Sequence, residues 1–95
     1  MPSLSELLRR IDELDDDATL FAARPWSAGS DAACAVEDHE SKEAVEAGMS
    51  YLLEVSMAKE VVETWGAWHG GRTPSTTEAV RSVIYYAEHD TYPPA

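Results

Sequence analysis

The sequence predicts an α+β domain in which a small three-stranded antiparallel sheet packs against about three to four helices, in the order α-β-β-(α)-β-α-α. Apolar residues recur at helical spacing near both ends of the chain, and short apolar segments bounded by turn residues lie between them. A length of 95 residues is enough for one domain and too short for two. We therefore expect residues 1–95 to form a single domain, with residues 91–95 as a short proline-containing tail.

The first helix is predicted over residues 3–14. Ser3 and Glu6 have the spacing of a capping box, in which each side chain accepts a hydrogen bond from the backbone amide of the other residue. The apolar residues that follow repeat at helical spacing and form one stripe: Leu4, Leu7, Leu8, Ile11 and Leu14. Three aspartates at residues 15–17 then end the helix, because Asp favours turns and is unfavourable at the negative end of a helix dipole.

Two short strands are predicted next. Residues 19–24 are mainly apolar and are bounded by the aspartates and by Pro25, and residues 32–37 form a second apolar segment. The loop-like residues 26–31 between them predict an antiparallel hairpin with a longer loop than the tightest turns.

Residues 38–55 are compatible with two structures. In the first, a short helix over residues 41–47 ends near Gly48 and a third strand follows, because apolar residues occupy alternate positions from Met49 to Val55. In the second, one long helix runs from about residue 42 to residue 69. We favour the strand, since the long helix would contain Gly48 and would lack a continuous apolar stripe.

Two further helices are predicted in the C-terminal part of the chain. Ser56 is the expected N-cap of the first helix, and residues 70–71, both glycine, supply its left-handed end. One face of this helix carries four large apolar residues: Met57, Val61, Trp65 and Trp68. Ser75 and Glu78 have capping-box spacing at the start of the second helix, which we expect to end near residues 89–90.

The charge of the chain excludes some functions. Eighteen acidic and seven basic residues give a net charge of −11, which argues against binding to nucleic acid or to an anionic membrane. Residues 12–63 hold fourteen acidic and three basic residues, whereas residues 64–95 hold three and two. The runs at 12–17 and 37–46 could steer a basic partner, although a solvated surface is the simpler interpretation of each run.

Cys34 is the single cysteine, so no intrachain disulfide is expected. The chain begins without the pattern of a signal peptide and has no apolar run long enough for a membrane span. We therefore expect a cytoplasmic protein.

No motif of established chemistry is present. The three histidines lack metal-ligand spacing, and the aspartate run lacks the glycine and closing glutamate of a calcium loop. We therefore predict no metal site, no cofactor and no catalytic residue, which favours a binding protein over an enzyme. His69 and Arg72 flank the paired glycines just before a helix start, so they are candidates for an anion or ligand site. A plain helix–helix turn is the simpler interpretation of this segment.

The aromatic residues are the strongest remaining signal. Trp and Tyr are favoured interface anchors because they bury a large area with few rotatable bonds. We expect at least half of these rings to fill the core and the rest to form a contact surface. The candidates for partner binding are Trp26, Trp68, Tyr85, Tyr86 and Tyr92.

Two hypotheses for function follow. The first is a small acidic cytoplasmic protein-interaction module without catalysis, which forms a homodimer or acts as an inhibitor or immunity-type protein on a basic partner. The second is a domain that binds a small molecule or a metal, or an enzyme, and uses the helix-turn-helix around residues 65–75 with Trp68, His69 and Arg72.

Overall fold

Helices cover both faces of a three-stranded antiparallel sheet in the computed structural model of the chain, which describes residues 2–93. The α+β class and the predicted order of elements are confirmed. The elements are α1 (Leu4–Arg9), a 3₁₀ turn (Ile11–Glu13), β1 (Thr19–Ala23), β2 (Ala32–Ala35), α2 (Asp38–Glu46), β3 (Met49–Glu54), α3 (Val55–Trp68) and α4 (Thr76–His89).

The sheet has the strand order β2-β1-β3, and both pairs of strands are antiparallel. The predicted hairpin of the first two strands is therefore confirmed. Residues 38–55 form a short helix and a strand, so the alternative of one long helix is wrong. The short helix begins three residues before the predicted start at residue 41, because Glu37 and Glu40 form a capping box that was not predicted.

The two faces of the sheet bury different clusters of side chains. Side chains alternate along a strand, so Leu20 and Ala22 of β1 face α1, α3 and α4, whereas Phe21 between them faces α2. The first face carries the main core, in which Leu4, Val55, Val61 and Val83 are at most 1% exposed. The second face has a small cluster made by Phe21, Ala35, Ala44 and Met49.

A bulge interrupts the pairing of β1 with β3. Leu20 pairs with Leu53 and Phe21 pairs with Tyr51, so Leu52 is the extra residue between these pairs. Because of the bulge, the consecutive residues Leu52 and Leu53 both enter the main core, at 2% and 7% exposure, while Tyr51 is 52% exposed. The apolar alternation that predicts this strand is therefore broken at its centre.

The first helix is shorter than predicted. The α-helix ends at Arg9 rather than at residue 14, and the Arg10 amide donates to the carbonyls of Leu7 and Leu8. The 3₁₀ turn that follows still buries Ile11, so the predicted apolar stripe is satisfied without a continuous helix. Ser3 is the N-cap as expected, because its hydroxyl accepts a hydrogen bond from the Glu6 amide at 3.2 Å.

The prediction that Ser56 caps α3 is wrong. The helix begins at Val55 directly after β3, and the Val55 amide donates to the Ala18 carbonyl at 3.0 Å. This tertiary hydrogen bond satisfies one of the first amides of the helix, which have no partner within the helix itself. The buried face of α3 is Val55, Ala58 and Val61, which leaves Trp68 50% exposed at the end of the helix.

The last helix is close to the prediction. Ser75 and Glu78 form both hydrogen bonds of a capping box, at 3.2 Å and 3.0 Å. Gly70 and Gly71 have φ angles of 70° and 82°, so they form the expected left-handed turn. After α4, Tyr92 of the predicted tail packs back against the main core. Residues 94–95 of that tail lie outside the described part of the chain.

Candidate functional site

An open groove of about 400 Å³ lies between α3 and α4, and we call it the α3–α4 groove. Its floor includes Val61 and Ser82, which are 1% and 4% exposed. Four aromatic rings line it: Trp65, Trp68, Tyr85 and Tyr92. His69, Glu78 and Arg81 add polar groups to the lining. A concave apolar surface with a few convergent polar groups is the usual form of a binding site.

Tyr92 forms one wall of this groove after the end of α4. Its ring lies edge-on to Trp68, with centroids 5.8 Å apart, and 5.2 Å from the ring of Tyr86. Its hydroxyl donates to the Glu60 carboxylate at 3.2 Å. Part of the segment predicted as a tail therefore belongs to the site.

His69 is held at the end of α3 by two contacts with Trp65. The two rings are stacked, with centroids 3.9 Å apart and planes 11° apart. The His69 Nδ1 lies 2.6 Å from the Trp65 carbonyl oxygen. Because a carbonyl only accepts hydrogen bonds, Nδ1 carries the proton, and in the neutral ring Nε2 keeps its lone pair. The imidazole is thus fixed in one orientation at the rim of the α3–α4 groove.

The Arg72 side chain makes two contacts within the chain. Its guanidinium carbon lies 4.9 Å from the centroid of the Trp65 ring, and its Nη2 lies 3.5 Å from the Glu78 carboxylate. Glu78 also accepts the Ser75 amide, and this backbone hydrogen bond, more than the Arg72 charge, holds the pKa of the Glu78 carboxyl below its ordinary value. The positive end of α4 therefore already has its own carboxylate, which opposes the binding of an anion there.

A second open groove of about 380 Å³ lies on the other side of α4. Trp26, Ile84 and Glu88 line it, and it shares Arg81 and Tyr85 with the α3–α4 groove. We call it the Trp26 groove. Its tryptophan is fixed by a hydrogen bond from the indole N–H to the Ala22 carbonyl at 3.1 Å and by the Arg24 guanidinium, 4.1 Å from the ring centroid.

The two acidic runs of the sequence do not line either groove. The run in residues 37–46 forms α2 and its cap, on the face of the sheet opposite to α3 and α4. The run in residues 12–17 lies before β1, where Asp16 forms an ion pair with Lys59 near the start of α3. The chain therefore separates its acidic surface from its aromatic surface.

Cys34 is half-buried on β2, and burial raises the pKa of its thiol, with smaller contributions from Asp15 and Glu40. A raised thiol pKa leaves little thiolate at neutral pH, which is unfavourable for a nucleophile. Within residues 2–93, no group of three His, Cys, Asp or Glu residues is placed to hold a metal ion. In the same range, every helix is too short or too polar to span a membrane.

The structure brings most of the predicted site residues to the surface of α4. Trp68, His69, Tyr85 and Tyr92 line the α3–α4 groove, and Trp26 lies across α4 in the second groove. Tyr86 packs against the main core and Arg72 lies at the turn, and neither is among the residues that line these two grooves. Arg81 was missed; it is exposed and lies four residues before Tyr85, which is the one sequence signal that would have found it.

The fold and these two grooves define a small α+β domain with an aromatic surface built around its last helix. Residues 1–94 match the family described as a domain of unknown function (DUF7716), and the chain belongs to that family. Neither a curated protein nor a solved structure matches the chain.

Proposed function

We propose that this chain is a small protein-interaction module without catalysis, and that it binds its partner through α4 and the two grooves beside it. We call this region the α4 surface. One observation carries the proposal: grooves of about 400 Å³ and 380 Å³ lie on either side of one helix and share Arg81 and Tyr85. A wide surface with a central ridge suits a protein partner, whereas small molecules favour a single concave site.

The aromatic residues of the α4 surface support this proposal. Trp68 is 50% exposed, and Trp26, Tyr85 and Tyr92 are half-buried, so each ring has area left to bury. Hydrogen bonds hold the Trp26 indole and the Tyr92 hydroxyl in place. Rings that are already ordered lose little conformational entropy when a partner covers them. Aromatic side chains held in this way are typical of the residues that dominate interface energies.

The distribution of charge is consistent with the same surface. Residues 64–95 carry only three acidic and two basic residues, whereas the acidic helix α2 lies behind the sheet. The centre of a protein interface is usually depleted in charge. A basic partner of an inhibitor-type protein would instead be attracted to the acidic helix α2.

The single cysteine of the chain, Cys34, is a half-buried free thiol. A free thiol suits a reducing compartment, so we propose that the protein is cytoplasmic.

Chemical cross-linking in cells that naturally contain the protein tests the proposal. We expect cross-linked partner peptides to map to the α4 surface. The yield should fall at least about tenfold for the variant Trp68→Ala/Tyr85→Ala, since Trp and Tyr are enriched among the interface residues that cost more than about 1 kcal/mol each when truncated. Glu43→Ala on α2 is the matched control and should leave the yield unchanged. Circular dichroism confirms that each variant is folded. An equal yield from the double variant, or a loss only with Glu43→Ala, would refute the proposal.

A second candidate is a small-molecule site in the α3–α4 groove. Its volume of about 400 Å³ is within the range of known ligand sites, and the His69 Nε2 and the Arg81 guanidinium supply polar groups at its rim. Native mass spectrometry of the chain purified from its own cells distinguishes this candidate. A retained adduct that is lost with Trp68→Ala/Tyr85→Ala would support it, and an unmodified mass would exclude it.

A further inference from the structure

We infer that the partner on the α4 surface is a second copy of this chain, with the two α4 helices antiparallel around a twofold axis. This inference rests on the proposed function, because it uses the same surface, and it adds the identity of the partner. The feature that carries it is the outer stripe of α4, formed by Arg81, Ile84, Tyr85 and Glu88.

These four residues share one face of the helix, because their positions follow the i, i+3, i+4, i+7 spacing. The opposite face of α4 is buried against the rest of the domain through Ala79, Val80 and Val83. On the outer face, Arg81 and Glu88 are exposed, and Ile84 and Tyr85 are half-buried. The stripe is therefore available to a partner and has an apolar centre with a charge of opposite sign at each end.

Such a stripe is complementary to itself when it is reversed. A twofold axis that passes between Ile84 and Tyr85 places residue 81 of each copy opposite residue 88 of the other. Arg81 then meets the partner's Glu88, and the same pair forms again on the other side of the axis. Between the two pairs, the apolar centres of the stripes pack together. This is the isologous arrangement that closed dimers use, in which one patch serves both subunits.

The net charge of the chain favours this site over others for self-association. Two copies that each carry −11 repel one another wherever their acidic surfaces meet. The residues from 64 onward are close to neutral, and α2 lies on the opposite face of the sheet. Pairing through α4 thus keeps the acidic helices of both copies on the outside of the dimer.

Sedimentation equilibrium of the purified chain over a series of concentrations tests the inference. We expect the wild type to reach twice its monomer mass reversibly. The variants Arg81→Glu and Glu88→Arg should each weaken self-association at least about tenfold, because each creates two like-charge contacts across the axis. An equimolar mixture of the two variants should associate to within about threefold of the wild type, because every contact in the mixed dimer is again between opposite charges.

Lys42→Glu and Glu43→Arg on α2 are the matched controls, since they make the same charge changes on the other face of the sheet. They should leave the association constant unchanged within about twofold, which separates the specific pair from the effect of net charge. A wild type that stays monomeric up to about 1 mM, the weakest association worth assigning, would overturn the inference. So would a mixture that associates no better than the single variants. If the purified chain is monomeric while cellular cross-links still depend on Trp68 and Tyr85, the proposed function stands and only the inference that the partner is a second copy is wrong.

Discussion

The capping box at the start of α4 gives the sharpest test of the structure. The Ser75 hydroxyl accepts a hydrogen bond from the Glu78 amide at 3.2 Å, and the Glu78 carboxylate accepts one from the Ser75 amide at 3.0 Å. Replacing Ser75 with alanine removes the first of these bonds and leaves the second. We expect Ser75→Ala to reduce the free energy of unfolding by about 1 kcal/mol, within a range of about 0.5–2 kcal/mol.

The structure gives reasons to expect the middle of this range. Ser75 is exposed, so its removal leaves no cavity, and the cost is confined to the lost cap. The effect reaches the whole domain because α4 supplies Val80 and Val83 to the main core. For a domain of this length, a loss of about 1 kcal/mol corresponds to a fall of about 4–8 °C in Tm.

Urea and thermal unfolding, followed by circular dichroism, measure this change. Ser56→Ala is the matched control, because Ser56 is an exposed serine inside the first turn of α3 rather than its cap. Its free energy of unfolding should stay within about 0.5 kcal/mol of the wild type, since alanine is the better helix former. If Ser56→Ala costs as much as Ser75→Ala, or if Ser75→Ala leaves the Tm unchanged, the assigned helix starts are wrong.

Two further predictions concern the bulge and the pH dependence of the cap. Leu52→Ala should lower the free energy of unfolding, measured in urea, by about 2–5 kcal/mol, because Leu52 is 2% exposed. Tyr51→Ala should lower it by less than half as much, because Tyr51 is 52% exposed. Equal losses would mean that the bulge lies elsewhere in the strand. The pKa of Glu78 is lowered in the folded chain, so its ionised form stabilises the fold above the unfolded-state pKa, and this stabilisation is lost as the pH falls through the folded-state pKa. Glu78→Gln should therefore be less stable than the wild type at pH 7. The difference should shrink as the pH falls below the ordinary Glu pKa, and should disappear only below the lowered pKa of folded Glu78; a difference that does not change with pH would contradict this explanation.

Features that depend on neighbouring residues were predictable from the sequence. The capping box of α4 and the left-handed glycines before it involve contacts within a few positions, and each has a distinct residue pattern. The strand at residues 49–54 was also recognisable, because Gly48 separates it from the helix before it and has a φ of 91°. Local patterns of this kind were sufficient for the class and the order of the elements.

Features that depend on distant residues were not predictable in the same way. The start of α3 is set by the hydrogen bond from the Val55 amide to Ala18, which lies far earlier in the chain. The exposure of Trp68 follows from where α3 meets the sheet, and the fold-back of Tyr92 onto Trp68 follows from packing after the last helix. The α3–α4 groove depends on the position of Trp68 and on the fold-back of Tyr92. The sequence therefore predicted an aromatic contact surface, but not this groove.

The bulge at Leu52 also limits how the outer edge of the sheet can be used. β3 is an edge strand, and exposed edge strands can act as templates for strand addition and aggregation. An incoming strand could pair in regular register with only three consecutive residues, Met49–Tyr51, before Leu52 interrupts the ladder. The same extra residue that places two leucines in the core therefore protects this edge against fibre-like growth.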